Sequence, residues 1–420
     1  MTMTSAPAAA GLRLAFLSVS AEMGGSEVSL LELVRGLRRL APAWRLDVVV
    51  PRDGPLAANA RAAGAGVHVL PLPPRLARVG ETFAGGAAQF VERSAALVMA
   101  AGSVGPYSRR LARLLRDLAP DVVHTNGFKL HVLAARVIAP SCALVWHIHE
   151  YVGGRPVSRA LMRRYASRCA GLVTNSDSVR RDVIATLGAG LPVTRIYNAV
   201  NHEEFSPEGD ALDLDALAGL PPAAAGTVRV GLIATYGRWK GHATFLEALR
   251  RVSSSARSRA YIIGGSLYDT SGSQYTRSEL EQLVASSGLA RSVGLTGFVD
   301  RPAAAMRALD VVVHASTQPE PFGLVIAEGM ASGRAVIVSA AGGADELVTD
   351  GVDALTHSPG DAEGLARGIE RLVTDGALRA RLGIAARQSA VRRFDPDAFT
   401  RAFIDVYQQA RPSVVSDVRH

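Results

Sequence analysis

The stretch Pro319-Glu320-Pro321-Phe322-Gly323-Leu324-Val325-Ile326-Ala327-Glu328-Gly329-Met330-Ala331-Ser332-Gly333 sets two glutamates around a Pro-Phe-Gly turn and the start of an apolar helix. A β-branched run, Val311-Val312-Val313-His314, precedes it, and a glycine turn, Ala341-Gly342-Gly343, follows. Strand, turn and helix in that order make one unit of a parallel sheet, with Glu320 delivered to the carboxyl edge. The helix start at Gly323-Leu324-Val325 offers unpaired N–H groups and a positive dipole end, which suits a phosphate. Glu328 lies about one and a half turns further on, where its carboxylate can accept hydrogen bonds from a hydroxyl pair such as a ribose. Glu320, just before the turn, can do the same for a sugar. The stretch reads as a nucleotide-sugar clamp.

Working outward, short β-rich runs alternate with helical patterns along the whole chain, the sign of βαβ units and parallel sheets. The runs are 12–19, 46–50, 67–70, 121–124, 143–149, 171–174 and 193–197 in the first half, and 228–234, 260–264, 293–296, 311–314 and 335–338 in the second. Between 73 and 120 the pattern blurs, and 80–105 reads as weakly helical segments with a mobile loop. Residues 204–226, rich in Pro, Asp and Ala, read as a linker between a domain at 1–203 and a second at 227–394. At 395–410, Phe399, Phe403 and Tyr407 recur at four-residue spacing, so an amphipathic helix is expected to pack back on the first domain. Residues 411–420 are expected to be disordered.

Three other places can carry chemistry. The first run ends in Met23-Gly24-Gly25-Ser26-Glu27, with Ser26 as the expected N-cap of a helix that places Val28, Leu31, Val34 and Leu37 on one face. Gly24 and Gly25 thus offer a second phosphate cradle, although a tight strand-to-helix turn also uses glycine for geometry alone. In Val145-Trp146-His147-Ile148-His149-Glu150-Tyr151 the two histidines share a face, and His149 comes at the carboxyl end of the run. That position suits hydrogen bonding or acid/base work; a structural histidine is the plainer alternative, and no third ligand is spaced for a metal. Finally, Thr235-Tyr236-Gly237-Arg238-Trp239-Lys240-Gly241 places two cations before a helix, where Arg238 and Lys240 can converge on a diphosphate or merely form a solvated basic loop.

Composition narrows the partners. The 420 residues are 48% hydrophobic and allow two packed domains. The net charge is +8, made of +10 in residues 1–205 and −2 in the rest, and the basic first half suits an anionic partner such as a membrane surface, a lipid-linked phosphate or an acidic glycan, or else marks an Arg-rich solvated surface. Nucleic acid is not expected, since no helix-turn-helix, zinc finger or aromatic-basic motif occurs. Cys142 and Cys169 each adjoin apolar residues and read as buried free thiols in a reducing compartment. No apolar run approaches a membrane span, and residues 1–10 lack the basic start of a secretory signal, so a cytoplasmic protein is expected, with the inner membrane face as an option.

Gly24-Gly25, His149-Glu150, Asn198-Ala199-Val200-Asn201, Gly237-Arg238-Trp239-Lys240-Gly241-His242 and the Glu320 to Glu328 pair occur in the order of the glycosyltransferase family 4 pattern, which the chain resembles over nearly its whole length. The Glu-x7-Glu spacing around Pro-Phe-Gly, joined to Arg-x-Lys, is the specific part. One departure is Asn-Ala-Val-Asn where the family usually has Asn-Gly-Val-Asp. The resemblance implies a GT-B fold, two Rossmann-like doubly wound domains facing across a cleft, the first for acceptor and the second for a nucleoside-diphosphate sugar. It implies transfer of a hexose-type sugar to a hydroxyl acceptor, a glycan, glycolipid or small molecule, with retained configuration, no metal and no cofactor beyond the donor. Carried over, Arg238 and Lys240 hold the diphosphate, Glu328 the ribose and Glu320 the sugar. The N–H groups of Phe322, Gly323 and Leu324 lie around sugar and phosphate, Gly24 and Gly25 close the cradle, and His149 orients the donor. Two other classes remain open: a nucleotide-sugar epimerase of the same architecture, and a non-catalytic sugar-nucleotide-binding partner of a glycosylation complex.

Overall fold

The computed structural model describes residues 11–74, 76, 87–253, 257–266 and 273–411, with the backbone alone for 87–101. The described chain forms two compact units, one made of residues up to 196 together with 396 onward, the other of 197–395. The tail at 412–420, the residues before 11 and those at 77–86 lie outside the described residues.

Each unit is built on one parallel sheet. The first contains β1 (Arg13–Ser18), β2 (Arg45–Val50), β3 (Gly66–Val69), β4 (Val122–Asn126), β5 (Ala143–Ile148), β6 (Gly171–Thr174) and β7 (Val193–Arg195), in the order β3-β2-β1-β4-β5-β6-β7. The second contains β8 (Val228–Ile233), β9 (Ser258–Ile263), β10 (Val293–Gly297), β11 (Val311–His314), β12 (Ala335–Ser339) and β13 (Leu355–His357), in the order β10-β9-β8-β11-β12-β13. Every residue of β4, β5, β11 and β12 is buried, as expected of central strands with helices on both faces. Continuous runs such as Val311-Val312-Val313 meet that demand because neither face needs a polar side chain.

Both sheets reverse their order once, between β1 and β4 and between β8 and β11. At such a point the loops leaving the two adjacent strands turn to opposite sides and leave a crevice at the carboxyl edge. In the second unit those loops are 234–241 and 315–323, which carry Arg238, Lys240 and Glu320. In the first they follow Ser18 and Asn126, close in sequence to Gly24 and Gly127.

The structure corrects four expectations. Residues 204–226 belong to the second unit and do not link the two. Asp215, in the short helix Leu214–Leu217, accepts from Arg259 Nη1 at 2.8 Å, Tyr261 Oη at 2.7 Å, Arg229 Nη2 at 3.3 Å and the Ala223 N–H at 2.9 Å, binding the segment to β8 and β9. Loop-like composition hid one buried carboxylate with four donors. Of residues 80–105, expected to hold weakly helical segments and a mobile loop, 87–105 lie in one long helix, Ala87–Leu118, whose Ala, Gly and Ser obscure its period, while 80–86 lie outside the described residues. The helix Gly25–Leu40 starts at Gly24 and not at Ser26, whose hydroxyl instead donates to Glu27 Oε2 at 2.9 Å. Strand β13 was not expected at all, its three residues being too few to show alternation.

The helix Pro396–Ala410 lies in the first unit with Phe399, Phe403 and Tyr407 buried. Tyr407 Oη is 2.7 Å from His124 Nδ1, and a Cβ on Gly36 would come within 2.0 Å of Thr400 Oγ1. Glycine at 36 is therefore what lets the first and last helices touch. Among the described residues Ala119 is the one non-glycine at positive φ, so Ala199 needs no glycine in its turn.

Replacing Asp215 by Ala leaves two guanidinium groups and a buried hydroxyl without their acceptor. A loss of about 3 kcal/mol is expected in denaturant unfolding of the second unit, as for other broken buried charge networks. A change within about 0.5 kcal/mol would show that 204–226 is held by other contacts.

Candidate functional site

The crevice in the second sheet is built by close approach of its two loops. Gly241 ends the turn Arg238–Lys240 at φ 80°, and a Cβ there would meet the Ala315 carbonyl oxygen at 1.8 Å. The Thr317 N–H donates to the Trp239 carbonyl at 2.8 Å. Glu320 is fixed by its backbone to the following glycine turn, its N–H donating to Ala341 O at 3.2 Å and its carbonyl accepting from the Gly343 N–H at 2.7 Å. Phe322 is buried against Tyr197 and Phe394, with ring centroids 6.0 and 5.8 Å away, and anchors the Pro-Phe-Gly turn. Gly323 then turns at φ 91° into the helix Leu324–Ala331.

These constraints bring Lys240 and Glu320 together. Lys240 Nζ donates to Glu320 Oε2 at 2.8 Å and to Oε1 at 3.0 Å, Ser316 Oγ donates to Oε2 at 2.9 Å, and His314 Nε2 is 3.4 Å from the same oxygen. Burial alone would raise the Glu320 carboxyl, but the Lys240 ammonium and the His314 hydrogen bond hold it well below the usual carboxylate range. Glu320 is ionised at any ordinary pH.

Glu328, expected to work beside it, has the opposite environment. It is half-buried on the Leu324–Ala331 helix, and among the described residues no donor is hydrogen-bonded to its carboxylate. Burial, reinforced by the nearby charge of Glu204, pushes its carboxyl up to about 8. A hydroxyl pair donating to this carboxylate would satisfy a group the protein leaves without donors.

Arg238 is oriented by partners on another βα unit. Its Nη2 donates to Glu279 Oε1 at 2.7 Å, and its guanidinium carbon lies 4.2 Å from the Tyr275 ring centroid. Glu279 is itself placed by the capping box it forms with Thr276 at the start of the helix Arg277–Ser286. Arg238 is thus stacked and oriented, with 43% of its side chain exposed.

In the first unit, neither Gly24 nor Gly25 has positive φ, and a Cβ on Gly25 would meet nothing within 4 Å. Backbone geometry therefore does not demand glycine at 25, and the space beside it is open. Beside this turn, burial raises the Glu27 carboxyl, which accepts from Ser26 and Ser18. His149 follows the end of β5, its ring centroid 3.8 Å from that of His147, and its buried Nε2 has no partner among the described residues. Burial, with His124 nearby, lowers it to about 3, so the imidazole is neutral and is not a resident acid. Among the described residues no group of three or more His, Cys, Asp and Glu could hold a metal ion. Cys142 and Cys169 are free, and burial pushes the Cys142 thiol up to about 12.

Sequence reasoning missed His314, Ser316, Glu279 and Tyr275. The signal for the first two was present, since His314-Ala315-Ser316 ends the strand that delivers Glu320. Tyr275 and Glu279 lie on a different βα unit from Arg238 and could be joined to it only by the fold.

The raised Glu328 carboxyl carries a sign. The folded state keeps its proton to higher pH than the unfolded chain, so stability falls as pH rises from the ordinary value of 4.5 through about 8. Glu328→Gln removes that cost. Its Tm relative to the wild type should therefore be higher at pH 9 than at pH 5; a pH-independent difference would contradict the assigned environment.

Residues 23–204 match the family described as Glycosyltransferase Family 4, and residues 225–389 match Glycosyl transferases group 1, leaving only 1–22, 205–224 and 390–420 unmatched. The lipopolysaccharide core biosynthesis glycosyltransferase LpsE of Rhizobium meliloti is 35% identical over 130 residues, 31% of this chain and 38% of that protein. The alpha-maltose-1-phosphate synthase of Mycobacterium tuberculosis is 27% identical over 403 residues, 92% of this chain and 95% of that one. Among solved structures, Anabaena HepE in complex with UDP-glucose superposes with a TM-score of 0.76 over 94% of this chain and 99% of its own, at 24% identity, a likeness of fold. Two Rossmann-like units on parallel sheets, each matched by its own half of the family, establish that the chain belongs to the GT-B glycosyltransferases of family 4.

Proposed function

We propose that the protein transfers a hexose-type sugar from a nucleoside-diphosphate sugar to a hydroxyl acceptor with retention of configuration. The observation that carries this reading is the meeting of Lys240 and Glu320 at the switch point of the second sheet, beside a helix start and a Glu328 whose carboxylate has no donor among the described residues. Lys240 and Arg238 take the diphosphate, with the N–H groups of Phe322, Gly323 and Leu324. Glu328 accepts from the ribose hydroxyls, and Glu320 from the hydroxyls of the transferred sugar. His149 orients the donor through a neutral hydrogen bond, and the Gly24-Gly25 turn takes part in phosphate binding.

The chemistry follows from charge. As the bond from the anomeric carbon to the phosphate oxygen breaks, positive character grows on the sugar and negative charge on the departing diphosphate. Cations and N–H dipoles fixed in advance bind that growing charge more strongly than they bind the intact donor, which is how binding lowers the barrier. The departing phosphate oxygen takes the proton of the acceptor hydroxyl as the acceptor attacks the same face. With Lys240 and Arg238 supplying the positive charge, the reaction is proposed to need neither a metal nor a further cofactor. Glu320 is hydrogen-bonded by three side chains and serves as a ligand, not as a nucleophile. The basic first half favours an anionic or lipid-linked acceptor, met by a cytoplasmic enzyme at the inner membrane face.

Incubation with a panel of nucleotide sugars tests the reading. Slow donor hydrolysis that releases a sugar of retained anomeric configuration is expected from one of them. Inversion at the anomeric carbon would overturn retention, inversion at C2 would indicate an epimerase, and binding without turnover a non-catalytic partner. With the productive donor, Glu328→Ala should raise KM about tenfold with little change in kcat, while Glu320→Ala should lower kcat by about 100-fold. Equal, small effects would undo the division of roles.

A further inference from the structure

The helix Asp177–Leu187 begins at Ser176, whose hydroxyl accepts from the Val179 N–H at 3.1 Å, and it is seated in the core by the buried Val179 and Val183. Ser178 and Asp182 each stand one residue before those valines and, being four apart, lie one turn above the other along the same edge of the helix. Both reach the loop that follows His149. Asp182 Oδ2 accepts from the Val152 N–H at 2.6 Å, and its two oxygens accept from the Gly153 N–H at 3.2 and 3.3 Å. Ser178 Oγ and Tyr151 Oη share a hydrogen bond of 2.9 Å. Just before the helix, Asn175 Nδ2 donates to the His149 carbonyl at 3.3 Å.

Two successive N–H groups on one carboxylate make a charge-assisted clamp, stronger than hydrogen bonds between neutral groups. Gly153 leaves room for it, since a Cβ there would lie 2.6 Å from Asp182 Oδ1. On the other side of His149, Ile148 is buried in β5 and paired in register with Thr174 of β6. The backbone is therefore held before, at and after the histidine, which sets the direction in which its side chain leaves the chain. Closing the sheet does not require this, because β5 has already ended at Ile148. A surface loop ordinarily leaves such N–H groups to water.

We propose that Asp182 is a positioning residue for sugar transfer: with Ser178 and Asn175 it braces the loop 149–153 so that the His149 imidazole is presented in one fixed orientation. Its part in transfer rests on the transferase reading, whereas the brace itself does not. A group that orients a donor must be held closely, because a displacement of about 1 Å costs up to about 100-fold in rate. Asp182 touches no reactant in this account and acts through His149.

The test uses the full chain, with peptide-resolved backbone hydrogen exchange and hydrolysis of the productive nucleotide sugar as its two readouts. Asp182→Ala should speed exchange across 149–155 at least about tenfold while β5 stays protected. It should lower kcat about tenfold and move KM for the donor by less than about twofold. On a His149→Ala background the same substitution should change kcat by less than about twofold, since the group it positions is gone. Asp182→Asn keeps one accepting oxygen and should fall between the wild type and the alanine variant in both readouts, which also serves if the alanine variant does not fold. Unchanged exchange at 149–155 in both variants would overturn the brace, and an undiminished kcat loss on the His149→Ala background would overturn its action through His149. If the wild type hydrolyses no nucleotide sugar, the transferase reading fails and exchange alone decides the brace.

Discussion

An ammonium and a carboxylate 80 positions apart in the chain share one partly buried place, with Lys240 Nζ within 3.0 Å of both oxygens of Glu320. The pair exists because β8 and β11 are neighbours at the point where the sheet order reverses, so that the loops leaving them turn toward one crevice. Gly241 allows those loops to touch, since any side chain there would collide with the Ala315 carbonyl. Backbone bonds from Glu320 to Ala341 and Gly343 then remove its freedom to swing away. Fold and site are in this sense one constraint: pairing β8 with another strand would separate the charges.

Two carboxylates on the same short segment end in opposite electrostatic states. Glu320 meets an ammonium, a hydroxyl and an imidazole and stays charged, whereas Glu328 is half-buried without a donor and retains its proton toward neutral pH. The first is stable as it stands; the second is incomplete until something donates to it. Lys240 is occupied by Glu320, and under the proposed function it divides its attraction once a diphosphate arrives. Under the proposed function, donor binding weakens the hold on Glu320 as the sugar hydroxyls arrive, which couples recognition of the phosphate to recognition of the sugar.

Much of this was legible in the sequence, because the relevant signals are local. Strand-turn-helix periodicity gave both parallel sheets, the Glu-x7-Glu spacing marked the segment at the carboxyl edge of β11, and Phe399, Phe403 and Tyr407 marked the last helix. What stayed hidden depends on contacts distant in sequence. The order of the strands, and with it the joining of Lys240 to Glu320 and of Arg238 to Tyr275 and Glu279, is set by packing. Residues 204–226 have the composition of a linker, and only the gathering of Arg229, Arg259 and Tyr261 around Asp215 makes them part of a folded unit. The neutral state of His149 likewise comes from burial, which no local pattern announces.

The central claim is that Lys240 serves the donor diphosphate and is held by Glu320 until the donor comes. Calorimetric titration of a nucleoside diphosphate into Glu320→Gln and into the wild type addresses it directly. Removing the carboxylate charge frees the ammonium, so the variant should bind the diphosphate several-fold more tightly although it lacks a ligand for the sugar. Equal or weaker binding by Glu320→Gln would contradict the account and place the diphosphate away from Lys240.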